Sequence, residues 1–162
     1  MKCTEKEWDT CRVEKMGCIG CYYTDMKEMK YCKDRKIEVL ATGYCLGLLY
    51  YILNLGTHPT AYIKIPDNLN IDEDKLEVHG GITYSDNHLW ISEKQKIEGK
   101  FIGWDYAHYG DYVGYEEIFP KKIRTREKKW TTYEIFEEVK EVCYQINKEA
   151  QWNVWIKWYS MF

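Results

Sequence analysis

The chain has 162 residues, 23 basic and 26 acidic, a formal charge of -3 and a pI near 5.9, which is the size of one domain. Its 45% hydrophobic content is enough to build a core without disulfide staples and excludes intrinsic disorder. Fifteen Tyr, seven Trp and four Phe, against three Pro and four Ala, disfavour a helical bundle and favour strands with aromatic faces.

No apolar run approaches the roughly 18 residues of a membrane helix; the longest, Cys45 to Leu53, stops at Asn54. The start, Met1 to Trp8, has no apolar core or cleavage site of a secretory signal, so we expect a cytoplasmic protein with no membrane partner. The slightly acidic balance makes nucleic acid an unlikely partner, and an oligomer is open. An odd seven cysteines in a reducing compartment read as free thiols or metal ligands.

Four of those cysteines fall in a leader, residues 1–36, as Cys11-x6-Cys18-x2-Cys21-x10-Cys32, with Cys3 before them. Thiolates two residues apart can share a tetrahedral zinc, and Gly17 and Gly20 flank that pair as a tight metal knuckle needs, so Cys11, Cys18, Cys21 and Cys32 are candidate ligands of a structural Zn. The alternative is that they pack as small hydrophobes.

Residues 37–162 read as a single α+β domain: a small, mostly antiparallel central sheet of three to five strands, with a C-terminal amphipathic helix. Ala41 to Leu55 is expected as one buried strand, and Gly56-Thr-His-Pro-Thr60 as a turn, because the residue before proline avoids the helical region. Asp67 to Asp74 reads as a solvated acidic loop; Leu76 to Tyr84, His88 to Ser92 and Lys100 to Asp105 read as further strands. From Ala107 to Trp130 the chain has no steady period and reads as an irregular loop. The capping box Thr131-x-x-Glu134 then opens a helix with Ile135, Val139, Val142, Ile146 and Ala150 on one face. Trp152 to Trp158 is expected as a last strand or an aromatic clasp.

Two segments combine glycine with ionisable side chains at expected strand ends: Val78-His-Gly-Gly-Ile-Thr-Tyr84 and Gly103-Trp-Asp-Tyr-Ala-His-Tyr-Gly-Asp111. An imidazole beside a carboxylate is the equipment of general acid–base work, so His79, Asp105, His108 and Asp111 are the candidate catalytic set. The same residue types suit a catalytic Zn or Mn with an open position for water. Gly80 and Gly81 let the backbone approach a ligand, with Thr83 and Tyr84 beside them and His58 in the neighbouring turn as further substrate contacts. Against this stands a reading in which His79 is a core histidine bonded to a neighbouring strand, Asp105 caps the next turn and Asp111 sits in a loop.

The run Pro120 to Trp130 holds six basic residues against one acid, and Lys121, Lys122, Arg124 and Arg126 are candidates to attract an anion near the helix start. No phosphate-binding loop, dinucleotide fingerprint or serine-nucleophile elbow is present in the sequence.

The segments Gly56-Thr-His-Pro59, Val78-His-Gly-Gly-Ile-Thr-Tyr84, Ile102-Gly-Trp-Asp-Tyr-Ala-His-Tyr-Gly-Asp111 and Tyr133-Glu-Ile-Phe-Glu-Glu-Val139 resemble a family of small, largely uncharacterised proteins of phages and prophages of Gram-positive bacteria. The resemblance covers roughly residues 40–150; the opening Cys11-Arg-Val-Glu-Lys-Met-Gly-Cys-Ile-Gly-Cys-Tyr-Tyr23 is similar to a leader on assorted proteins of such phages. It departs where relatives have Gly-Phe-Asp and this chain has Gly103-Trp104-Asp105. It implies a phage accessory role in the host cytoplasm, with His58, His79, Asp105, His108 and Asp111 inside the motifs. Such proteins often counter host defence. Two expectations follow: a phosphodiesterase-like hydrolase acting on a nucleotide signal, or a non-enzymatic sponge or inhibitor that sequesters the nucleotide or blocks a host defence protein.

Overall fold

The computed structural model describes residues 26–27, 36–114 and 127–159. Leu46 and Gly47 both take positive φ, 49° and 82°, the backbone of a two-residue hairpin turn whose twist matches its strands. The chain therefore reverses there, and the single strand expected over Ala41 to Leu55 is two, β1 (Glu38–Cys45) and β2 (Leu48–Asn54), with Cys45 opposite Leu48. The expected His58-Pro59 turn is present but short, and β3 (Pro59–Lys64) starts on the proline itself, the one strand position where a missing N–H costs little. The remaining strands are β4 (Tyr84–Ser92) and β5 (Gln95–Asp105). All five pair antiparallel in the order β1-β2-β3-β5-β4.

Leu76 to Thr83 is not the strand its residue types suggest. A short 3-10 turn (Glu73–Lys75) precedes it, and Gly80 and Gly81, at φ of 68° and 85°, fold Val78 to Gly81 into a turn closed by a 3.0 Å bond from the Gly81 amide to the Val78 carbonyl. Helix side chains replace the ladder that a strand would need. Gln145 accepts from the Glu77 amide at 2.8 Å and donates to its carbonyl at 3.0 Å, and Glu138 accepts from the His79 amide at 2.8 Å. Glu77 and His79 are thus satisfied by the helix and not by a neighbouring strand, and the segment reaches the sheet at Thr83, whose amide donates to the Gly103 carbonyl at 2.9 Å.

The helix, α1 (Thr132–Tyr159), starts where the capping box places it. Glu134 accepts from the Thr131 amide and hydroxyl, both at 2.9 Å, and the Glu134 amide donates back to the hydroxyl at 3.2 Å. Nothing between Thr132 and Tyr159 is Gly or Pro, so the helix continues through Trp152 to Trp158, where a strand or clasp was expected. Ile135, Val139, Val142 and Ile146 are fully buried against Leu40, Tyr50, Ile52, Ile63, Ile102 and Trp104. Cys45 and Cys143 are free thiols in this core. On the sheet's other face Leu53, Tyr62, Leu89 and Phe101 form a smaller cluster. Of the leader's described residues, Met26 packs against the main core and Lys27 is bonded to the domain: its amide donates to the Leu40 carbonyl at 2.8 Å and its carbonyl accepts from the Thr132 hydroxyl at 2.6 Å. Among the described residues no helix is long and apolar enough to cross a membrane.

The cap makes a first prediction. The bonds from Thr131, chiefly from its amide, hold the Glu134 carboxyl below its ordinary pKa despite a smaller opposing effect of burial. Thr131→Ala is expected to cost about 0.5–2 kcal/mol at neutral pH. Because the folded pKa is depressed, the cap's contribution is complete above the ordinary Glu value of about 4.3 and is lost as pH falls through the folded value. Denaturant melts of the parent and of Glu134→Gln, which has no carboxylate to titrate, should therefore draw together in acid.

Candidate functional site

Three chain segments meet where β5 ends. The turn Val78 to Gly81 supplies His79, the last residue of β5 is Asp105, and the loop that follows supplies His108 and Asp111. That loop is fastened on its far side by residues just before the helix: the Lys128 amide donates to the Gly110 carbonyl at 2.8 Å and the Tyr112 amide to the Lys128 carbonyl at 2.9 Å.

Asp111 is the centre of the group, only 5% exposed. Its Oδ2 lies 2.7 Å from His79 Nε2 and accepts from the His108 amide at 2.9 Å, while Oδ1 accepts from the Trp130 indole at 2.8 Å. Burial alone would raise the pKa of this carboxyl; the hydrogen bonds from Trp130, His79 and the His108 amide outweigh it and hold the group below the ordinary carboxylate range. His79 is clamped as a ring as well. It stacks on Tyr106 (centroids 5.2 Å apart, planes at 9°), packs 4.9 Å from Trp130 and meets His108 edge-on at 5.2 Å. His108 Nδ1 lies 3.8 Å from both Asp105 Oδ1 and Asp111 Oδ2. Asp105 is itself oriented, accepting from the Thr83 hydroxyl at 2.9 Å and the Ala107 amide at 3.1 Å.

The structure thus brings His79, His108 and Asp111 into one cluster, with Asp105 and Thr83 beside it. Gly81 shapes the turn, and Gly80 makes room. A Cβ on Gly80 would lie 2.0 Å from the His108 ring. Gly80→Ala must displace that ring and also hold alanine at a left-handed φ, which alone costs about 1–2 kcal/mol. A fall in melting temperature of roughly 2–8 °C is expected, with shifted ring-proton NMR signals for His108 as the local readout. His58 sits at the margin, its Nδ1 2.9 Å from the Thr57 hydroxyl. Burial pushes its pKa down, only partly offset by the charge of Asp105, so it is neutral at pH 7.

Tyr84 does not join the group. It packs edge-on against Tyr62 at 5.2 Å in the cluster on the sheet's other face, and its hydroxyl donates to the His88 carbonyl. Gly103 lies between those two strands, where a Cβ would come 2.3 Å from the Tyr62 ring. The basic residues Lys121, Lys122, Arg124 and Arg126, and the cysteines Cys11, Cys18, Cys21 and Cys32, lie outside the described residues.

Sequence reasoning missed three supports. Glu138 Oε2 accepts from the Tyr106 hydroxyl and from the Trp104 indole at 3.1 Å, while its Oε1 holds the His79 amide. Burial and the Glu138 charge push the Tyr106 phenol strongly up, so it stays a donor. One signal for Glu138 was available: it falls three residues after Ile135 and four before Val142, a carboxylate within the apolar stripe. Tyr106 and Trp130 carried no comparable signal.

Compared with protein-family models, with curated proteins and with solved structures, the chain has no match.

Proposed function

We propose that the protein is a hydrolase that cleaves a phosphodiester bond in a small nucleotide, and that it serves a phage as an accessory protein against a nucleotide-signalled defence in the host cytoplasm. The observation that carries the chemical part is the 2.7 Å contact of His79 with a buried carboxylate, with a second imidazole set edge-on to the first. The biological part rests on the resemblance of the motifs.

Hydrolysis needs a group that takes a proton from water as its oxygen bonds to phosphorus, and one that gives a proton to the leaving oxygen as the old P–O bond breaks. His79, oriented by Asp111 through the contact at Nε2, fits the first role. His108, set edge-on to His79 with two carboxylate oxygens 3.8 Å from its Nδ1, fits the second. Tyr109, 96% exposed next to His108, offers a ring on which a base can stack. The basic run Pro120 to Trp130 is the part of an otherwise acidic chain that attracts an anion.

The test is incubation with a panel of cyclic and linear nucleotides, followed by chromatography. New products support the hydrolase. Retention of a nucleotide without conversion replaces it with the sponge, and no effect on any of them points to a host protein as the target.

A further inference from the structure

His108 Nδ1 is a buried atom without a hydrogen-bond partner among the described residues, although carboxylate oxygens of Asp105 and Asp111 lie 3.8 Å from it. That separation is too long for a hydrogen bond. It is close to the about 3.4 Å between two donors on one tetrahedral ion whose bonds are roughly 2.0–2.2 Å long. One ligand atom from each of His79, His108 and Asp111 lies within 4.8 Å of the other two.

We propose that His79, His108 and Asp111 bind one divalent transition-metal ion of the zinc or manganese class. Two imidazoles and a carboxylate are a donor set that leaves coordination positions open for water. The surroundings hold the donors as outer-shell groups do: Trp130 fixes Oδ1 of Asp111, Tyr106 stacks under His79, and the bare face of Gly80 seats His108. Asp105, held by Thr83 and the Ala107 amide, stands beside the set. On loading, His79 and Asp111 give up the proton they share to the other ring nitrogen or to solvent, since both must present lone pairs. What the ion does there rests on the hydrolytic reading, in which activation of water passes from His79 to the metal and the ion, not His108, offsets the charge on the leaving oxygen; whether it binds does not.

The experiment titrates metal-stripped full-length protein with cobalt(II) and follows its visible and near-ultraviolet absorption. A nitrogen and oxygen site gives visible bands without the thiolate-to-cobalt band that the leader cysteines would produce. We expect one equivalent of the thiolate-free kind. In His108→Ala its affinity should fall by more than about 100-fold, beyond the 10–100-fold that losing an outer-shell partner costs. Trp130→Phe removes only the indole donor to Asp111, and should fall within about 10–100-fold. His88→Ala, on the outer β4–β5 hairpin, should bind like the parent. Only thiolate-type absorption in the parent, or equal affinity in His108→Ala, overturns the proposal; if circular dichroism finds that variant unfolded, Trp130→Phe decides on the same terms. Thiolate-free cobalt binding without conversion of any nucleotide keeps the site and removes the hydrolase. Conversion that survives a chelator, with no such band, does the reverse.

Discussion

His79→Ala and His108→Ala are each expected to lower phosphodiester turnover by roughly 100-fold to 10,000-fold, the contribution of a positioned acid or base. Neither change should unfold the chain. The two side chains are 27% and 33% exposed at the end of the sheet, so removing them empties no part of the core. His88→Ala is the matched control, because His88 pairs with Asp86 at 3.0 Å on a hairpin outside the cluster and should keep parental rates. Single-turnover rates with a converted nucleotide make the comparison, after circular dichroism has established equal folding. If both site variants turn over substrate like the parent, the cluster is an ordinary packing arrangement and the reaction belongs elsewhere.

Phe136→Ala should have the largest effect on stability, about 3–5 kcal/mol. Its ring is 1% exposed and meets Tyr50 with centroids 5.2 Å apart, so it is a principal contact between helix and sheet. Against a total of about 5–15 kcal/mol for a domain, the loss brings the protein near unfolding, with a fall in melting temperature of roughly 6–20 °C. Tyr144→Ala on the same helix, where the ring is 56% exposed, should stay within about 0.5 kcal/mol of the parent. Thermal melts of the two variants side by side separate burial from helix propensity, since both end in alanine.

What could be read from the sequence was local. Thr131 and Glu134 lie three residues apart and satisfy each other, so the helix start was legible from the cap alone. The glycines beside His79 and His108 marked both segments as expected strand ends, and the grouping of His79, His108 and Asp111 followed from that placement, although the turn at Gly80 and Gly81 was itself read as strand. The errors arose where a distant element decided. Leu76 to Thr83 has the composition of a strand, but Gln145 and Glu138, 68 and 59 residues further on, take its backbone bonds. Tyr84 lies only five residues beyond His79, yet it enters the sheet and its ring goes to the opposite face. Glu138 was overlooked because its role depends on Tyr106 and Trp104, which only the folded chain brings to it.

That borrowing of helix side chains by residues 77–79 sets an order of events. The hairpins of the sheet close through near neighbours in sequence and can form early, whereas the amides of Glu77 and His79 are satisfied only once α1 has docked. A partly folded chain with the helix detached would keep much of its sheet and have no assembled cluster. The chemistry is then tied to the completion of folding: the group becomes competent in the same step that closes the main core, and any local opening that lifts the helix takes it apart.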